Sequence, residues 1–116
     1  MAIDSQFFFK AVAASLLACS GAAAADDRNQ VERGHRVAHE ICAACHAVER
    51  HQTRSTYQAA PAFDQIADAP AMTRLALRVA LRSSHRVMPN IRLTESQRAD
   101  VIAYIMTLKR ERPRSN

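Results

Sequence analysis

Cys42-Ala43-Ala44-Cys45-His46 is the stretch that decides how this chain folds and what it holds. Two thiols and an imidazole in C-x-x-C-H order read as a covalent haem attachment site. Each cysteine sulfur can add to one vinyl group of a porphyrin. The adjacent His46 then lies under the ring as an axial ligand to iron. The same pair of thiols also serves disulfide exchange and zinc binding. Disulfide exchange wants a strand–helix–strand setting, and no strand-rich segment flanks the motif. For zinc, His35 and His39 lie four apart and precede the cysteines, giving a four-ligand set on paper. The segment between the two pairs is shorter than finger spacings use.

Upstream, Lys10 precedes a run from Ala11 to Ala25 made almost wholly of alanine, leucine and valine. It ends in Ala23-Ala24-Ala25 before the charged Asp26-Asp27-Arg28. This reads as a secretory signal with a small-residue cleavage site, so residues 1–25 are expected to be removed and 26–116 to form one domain. The run is short for a membrane span, which needs about 20 apolar residues. Leu16-Leu17-Ala18-Cys19 also resembles a lipoprotein signal, in which Cys19 would carry the lipid and tether the domain to a membrane. Of three cysteines, two belong to the motif and Cys19 is lost or acylated, leaving none for a disulfide.

The 116-residue chain allows one domain, and the part after residue 25 has a lean core: Tyr57, Phe63 and Tyr104 are its only aromatic residues. So small a domain buries modest surface against its conformational entropy. A covalently held porphyrin would supply the missing apolar mass. The formal charge is +5, carried mostly by arginine. With few aromatics, that balance suits docking to an acidic redox partner better than nucleic-acid binding.

Three helices are expected, and no strand. The first runs from about Asp27 to His46, with Asp26 and Asp27 as caps and Val31, Gly34, Val37, Ala38 and Ile41 at helical spacing. Residues 47–71 read as loop, punctuated by Pro61 and Pro70, with a short helical turn near Phe63. The second helix spans about Thr73 to Ser83. Its leucines alternate as in a strand, but its helix-forming composition and the Thr73 cap favour helix. Arg74, Arg78 and Arg82 then share one face, as a solvated surface or a docking surface. The last helix opens on a Thr94/Gln97 capping box and carries the apolar stripe Val101, Ile102, Ile105, Met106 and Leu108. Lys109, Arg110 and Arg112 suit its C-terminal dipole, and Pro113 stops it.

Between the second and third helices stands Ser83-Ser84-His85-Arg86-Val87-Met88-Pro89-Asn90. The Met88 thioether is soft and suits a sixth iron position, and it raises the reduction potential. Pro89 stiffens the loop that would hold it. Met72 and Met106 are rival thioethers, and His85 would give a bis-histidine iron of lower potential. An open sixth position would make a sensor or small-ligand binder instead.

Nearly the whole expected domain resembles the small class I c-type cytochromes of the bacterial periplasm. The likeness rests on the first helix, Cys42-Ala-Ala-Cys45-His46, Met88-Pro89, and Asp100-Val-Ile-Ala-Tyr104-Ile in the last helix. It implies an all-α fold of three to four helices around one covalent haem c, with Cys42 and Cys45 as thioethers and His46 and Met88 as iron ligands. It implies one-electron carriage without catalysis, as a free periplasmic carrier or a dedicated subunit of a dehydrogenase. Gly34 matches the small residue at which the family's first and last helices cross, beside an aromatic matched by Tyr104. Pro61 matches a proline beside which a backbone carbonyl receives the ligand histidine's Nδ1–H. The glycines usual around that proline are absent; Gln58-Ala59-Ala60-Pro61-Ala62-Phe63 stands there.

Overall fold

The fold is known from a computed structural model, which describes residues 6–83, 86, 88 and 91–110, with side chains from residue 22 onward. Among the described residues there is no strand. Helix α1 (Gln6–Val37) passes into a π-helical turn (Ala38–Cys42), followed by α2 (Phe63–Asp68), α3 (Arg74–Ala80) and α4 (Glu95–Thr107).

The first helix starts earlier than its charge pattern suggests. Asp26 and Asp27 lie inside α1 and do not cap it. Alanine has the highest helix propensity, and Ala22–Ala25 carry the helix straight through the two aspartates. The helix then widens, with Ala43 N–H donating to the Ala38 carbonyl five residues back at 2.9 Å. π-Turns of this kind concentrate at functional sites, and this one leads into the cysteine motif.

Helix α4 is the hub. It packs chiefly on α1 and also touches α2 and α3. Thr94 Oγ1 accepts from Gln97 N–H at 3.1 Å while Gln97 Oε1 accepts from Thr94 N–H at 3.0 Å, closing the capping box. Asp100 and all of Val101, Ile102, Ala103, Tyr104 and Ile105 are buried, whereas Met106 is half-buried. A stripe model leaves Ala103 and Tyr104 outside, but α4 is enclosed from several sides, so its middle turn is buried all round. It ends at Thr107, with Leu108 as C-cap. Arg112 and Pro113 lie outside the described residues.

Gly34 sets the α1–α4 crossing. A Cβ there would stand 1.9 Å from the Asp100 carbonyl oxygen and 2.9 Å from Tyr104 Cβ. Backbone thus meets backbone, which compensates the roughly 1 kcal/mol that glycine costs inside a helix. The preceding residue, Arg33, clamps the buried carboxylate of the same Asp100 through Nε at 3.0 Å and Nη2 at 3.2 Å. Such a two-pronged pair satisfies a carboxylate that would be costly to bury alone.

Helix α3 is short and thinly attached. Thr73 Oγ1 caps it by accepting from Ala76 N–H at 3.1 Å. Leu77 is its one fully buried side chain, while Leu75 and Val79 are exposed, as are Arg74, Arg78 and Arg82. Among the described residues, two adopt the left-handed conformation without being glycine: His51 (φ 65°) and Ala71 (φ 59°).

Candidate haem site

The C-x-x-C-H segment folds on one acceptor. The Cys42 carbonyl receives N–H bonds from Cys45 at 3.1 Å and His46 at 2.9 Å. This closes the segment into a single turn, so both thiols and the imidazole leave a short piece of backbone. Cys42 and Cys45 are free thiols, each partly exposed. Burial pushes the Cys42 thiol up to about 11. Thiols that work in disulfide exchange have lowered values, so this environment speaks against that chemistry.

The following segment holds His46 in place. Tyr57 N–H donates to the Cys45 carbonyl at 3.0 Å, Phe63 N–H donates to the Ala47 carbonyl at 2.9 Å, and Ala47 N–H donates to Ser55 Oγ at 2.9 Å. The chain thereby brings Pro61 back over the motif. His46 Nδ1–H donates to the Pro61 carbonyl at 2.7 Å. That bond fixes the tautomer, since a carbonyl can only accept; the lone pair is therefore on Nε2. The His46 ring also lies against Phe63, centroids 5.6 Å apart. The absence of glycines around Pro61 has a physical reason here: no residue between 58 and 63 needs the left-handed conformation.

Met88 is half-buried in a bend between α3 and α4. His85 and Pro89 lie outside the described residues, as does the Cys19 side chain. The rival thioethers occupy other places: Met72 and Met106 both pack against the core. The base of the Met88 segment is tied by Arg82 Nη2, which donates to Glu95 Oε2 at 2.9 Å, with Arg98 joining the same carboxylate. Arg82 first, and then Arg78 and Arg98 more weakly, hold the Glu95 carboxyl below its ordinary range.

The zinc set suggested by sequence does not assemble. His35 and His39 converge on Glu49, and neither cysteine joins them. Glu49 carried no signal in the sequence, because it reaches the two histidines only through the turn after His46. Arg33 was silent for a similar reason: its partner, Asp100, lies 67 residues away.

The residues present suit a covalently attached porphyrin. Two unpaired thiols precede an imidazole whose Nδ1 is occupied and whose Nε2 makes no hydrogen bond among the described residues. Ile41, Ile66, Leu81 and Leu93 pack against the core yet stay partly exposed, apolar surface of the kind a macrocycle covers.

The sequence model of the cytochrome c family matches residues 31–109, most of the chain. The protein belongs to the cytochrome c family, and haem c is its cofactor. Comparisons with curated proteins and with solved structures gave no match. Haem-binding electron transfer is what membership in this family supports.

Proposed function

We propose that this cytochrome c is exported to the periplasm and carries single electrons on an iron held between His46 and Met88. The observation that carries the reading is the His46 Nδ1–H bond to the Pro61 carbonyl. It orients the imidazole, raises the basicity of Nε2, and leaves that nitrogen as the donor. When bound, the haem supplies the one-electron ferrous/ferric couple. Cys42 and Cys45 would hold the macrocycle to the turn that carries His46. Met88 supplies a soft donor from the opposite arm of the chain, and its half-buried position supports that role. With both His46 and Met88 as donors, the metal would have no position open to exogenous molecules, which would suit carriage and not catalysis.

Export rests on the signal-like run before Asp26. No helix among the described residues is long and apolar enough to cross a membrane. Exposed Arg74 and Arg78 on α3 favour brief docking to an acidic partner, which salt should weaken.

An absorption spectrum of the protein exported in cells with haem-attachment machinery tests the reading. A sharp reduced α-band in the periplasmic fraction, with the weak far-red band of a methionine–iron bond when oxidised, is expected. A haem spectrum without the far-red band would overturn methionine ligation. Colour retained only in the cytoplasmic fraction would overturn export.

A further inference from the structure

The end of α1 carries a second cluster of ligand-type side chains, on the surface and apart from the haem ligands. His35 and His39 sit one helical turn apart, so both rings project from the same side of the helix. Their centroids are 4.6 Å apart. Both Nε2 atoms aim at one oxygen, Glu49 Oε1: His35 at 2.7 Å, with His39 in direct contact as well. The three ligand atoms all lie within 4.8 Å of one another.

The framework behind these atoms is built. His35 packs its ring edge-on against Tyr104, centroids 4.9 Å apart. Tyr104 OH donates to the Val48 carbonyl at 2.8 Å, which fixes the residue before Glu49. Gln52 Oε1 accepts from the Val48 and Glu49 amides at 3.0 and 3.2 Å. Glu49 is therefore presented to the helix by a braced turn. A surface cleft of about 320 Å³, lined in part by Glu32, His35, Glu49 and Tyr104, opens beside the cluster and gives water access to it.

We propose that His35, His39 and Glu49 form a binding site for a divalent transition-metal ion of the imidazole-preferring class, with Zn²⁺ as its representative. Two imidazole nitrogens and one carboxylate oxygen are the protein ligands of open three-residue zinc sites, the fourth position going to water. Each imidazole binds in its neutral form with the proton on Nδ1, so the two Nε2 lone pairs and the Glu49 carboxylate oxygen face the ion in place of the hydrogen bonds they now make with one another. The set is unsuited to Mg²⁺ or Ca²⁺, which want oxygen ligands. An ion here ties the end of α1 to the turn three residues beyond His46. Occupancy should therefore raise thermal stability by linkage.

The site uses none of the haem ligands, so its failure leaves the electron-carrier reading intact. Its test uses the haem-loaded protein, in which Cys42 and Cys45 are blocked as thioethers and cannot compete for zinc. The chelator-treated holoprotein is titrated with Zn²⁺ by calorimetry, and its Tm is followed with and without the ion. One saturable equivalent and a rise in Tm are expected. Glu49→Gln and His39→Asn should each weaken binding by about tenfold or more, with far-UV circular dichroism unchanged. His51→Asn, at an exposed histidine in the next turn, should bind as the parent does. No binding of Zn²⁺ would overturn the proposal. So would binding that survives Glu49→Gln and His39→Asn, or that is lost equally in His51→Asn.

Discussion

The two arms that would meet at the iron are held in unlike ways. The His46 arm is fastened by backbone. Cys42, Cys45, Ala47 and Pro61 all lend carbonyls to bonds that fold the motif and its following segment. It hangs from the α1–α4 crossing, where Gly34 touches the Asp100 backbone. The Met88 arm begins at α3, which has a single fully buried side chain, Leu77. Its base is closed by the exposed Arg82–Glu95 pair, and exposed pairs contribute little. One arm is thus set by the fold itself, while the other would gain its fixed position from the iron that Met88 is proposed to hold. A carrier needs the first to keep the iron in place. The second is where ligation is expected to yield first.

The strongest way to break this comparison is at the crossing. Gly34→Val should remove folding altogether, since a Cβ at 1.9 Å from a backbone oxygen has no side-chain tip to yield. The loss is expected to exceed about 4 kcal/mol, the diagnostic end of single-mutant effects. Circular dichroism melts of the haem-loaded protein would measure it. Leu77→Ala should cost about 3 kcal/mol, as for other buried leucines. Because it lies on the weaker arm, it should lose the far-red band at lower denaturant than the Soret band shifts. Arg33→Met leaves the buried Asp100 carboxylate without its clamp and should lower Tm, by less than Leu77→Ala does.

Tyr104→Phe removes one buried bond to Val48 and should cost about 1 kcal/mol at neutral pH. Burial pushes the Tyr104 hydroxyl up to about 12 from 10.0. A phenol raised in the folded state contributes stability below the unfolded value and loses it as pH rises through the folded one. The parent should therefore weaken between about pH 10 and 12, and Tyr104→Phe should weaken less over that window in pH-dependent melts.

Glu95 sharpens the comparison on the acid side. Its carboxyl is lowered by Arg82, so the tie at the base of the Met88 arm is present above the ordinary glutamate range. It is lost as pH falls through the depressed value. Acid titration should fade the far-red band earlier in Glu95→Gln than in the parent, with the α-helical signal unchanged. The smallest effect is expected at Ala71→Gly. Relief of the left-handed backbone at φ 59° should raise Tm slightly, by about 0.5 kcal/mol equivalent.

Much of this was legible in the sequence, where the signal was local. The capping box at Thr94, the Thr73 cap and the short helix at Phe63 are written in neighbouring residues. The C-x-x-C-H order names its cofactor without help from the fold, and Gly34 was placed at the crossing by the family resemblance, which gives a reason for a residue that is otherwise costly in a helix. Other features depend on contacts that no spacing records. The π-turn at Ala38–Cys42 has no composition of its own, because Ala-His-Glu-Ile-Cys suits an ordinary helix equally well. The Arg33–Asp100 clamp and the meeting of His35 and His39 with Glu49 require the chain to turn back on itself. Asp26 and Asp27 misled as caps because capping residues act only where a helix has reason to begin, and the alanines before them give it none.

The claim that joins the two arms is that Met88 completes the iron's coordination opposite His46. The most direct measurement is the oxidised far-red spectrum of Met88→Ala beside that of His85→Ala, each with haem attached. The account predicts that the methionine–iron band vanishes in Met88→Ala and persists in His85→Ala. A band that survives the loss of Met88 would contradict it.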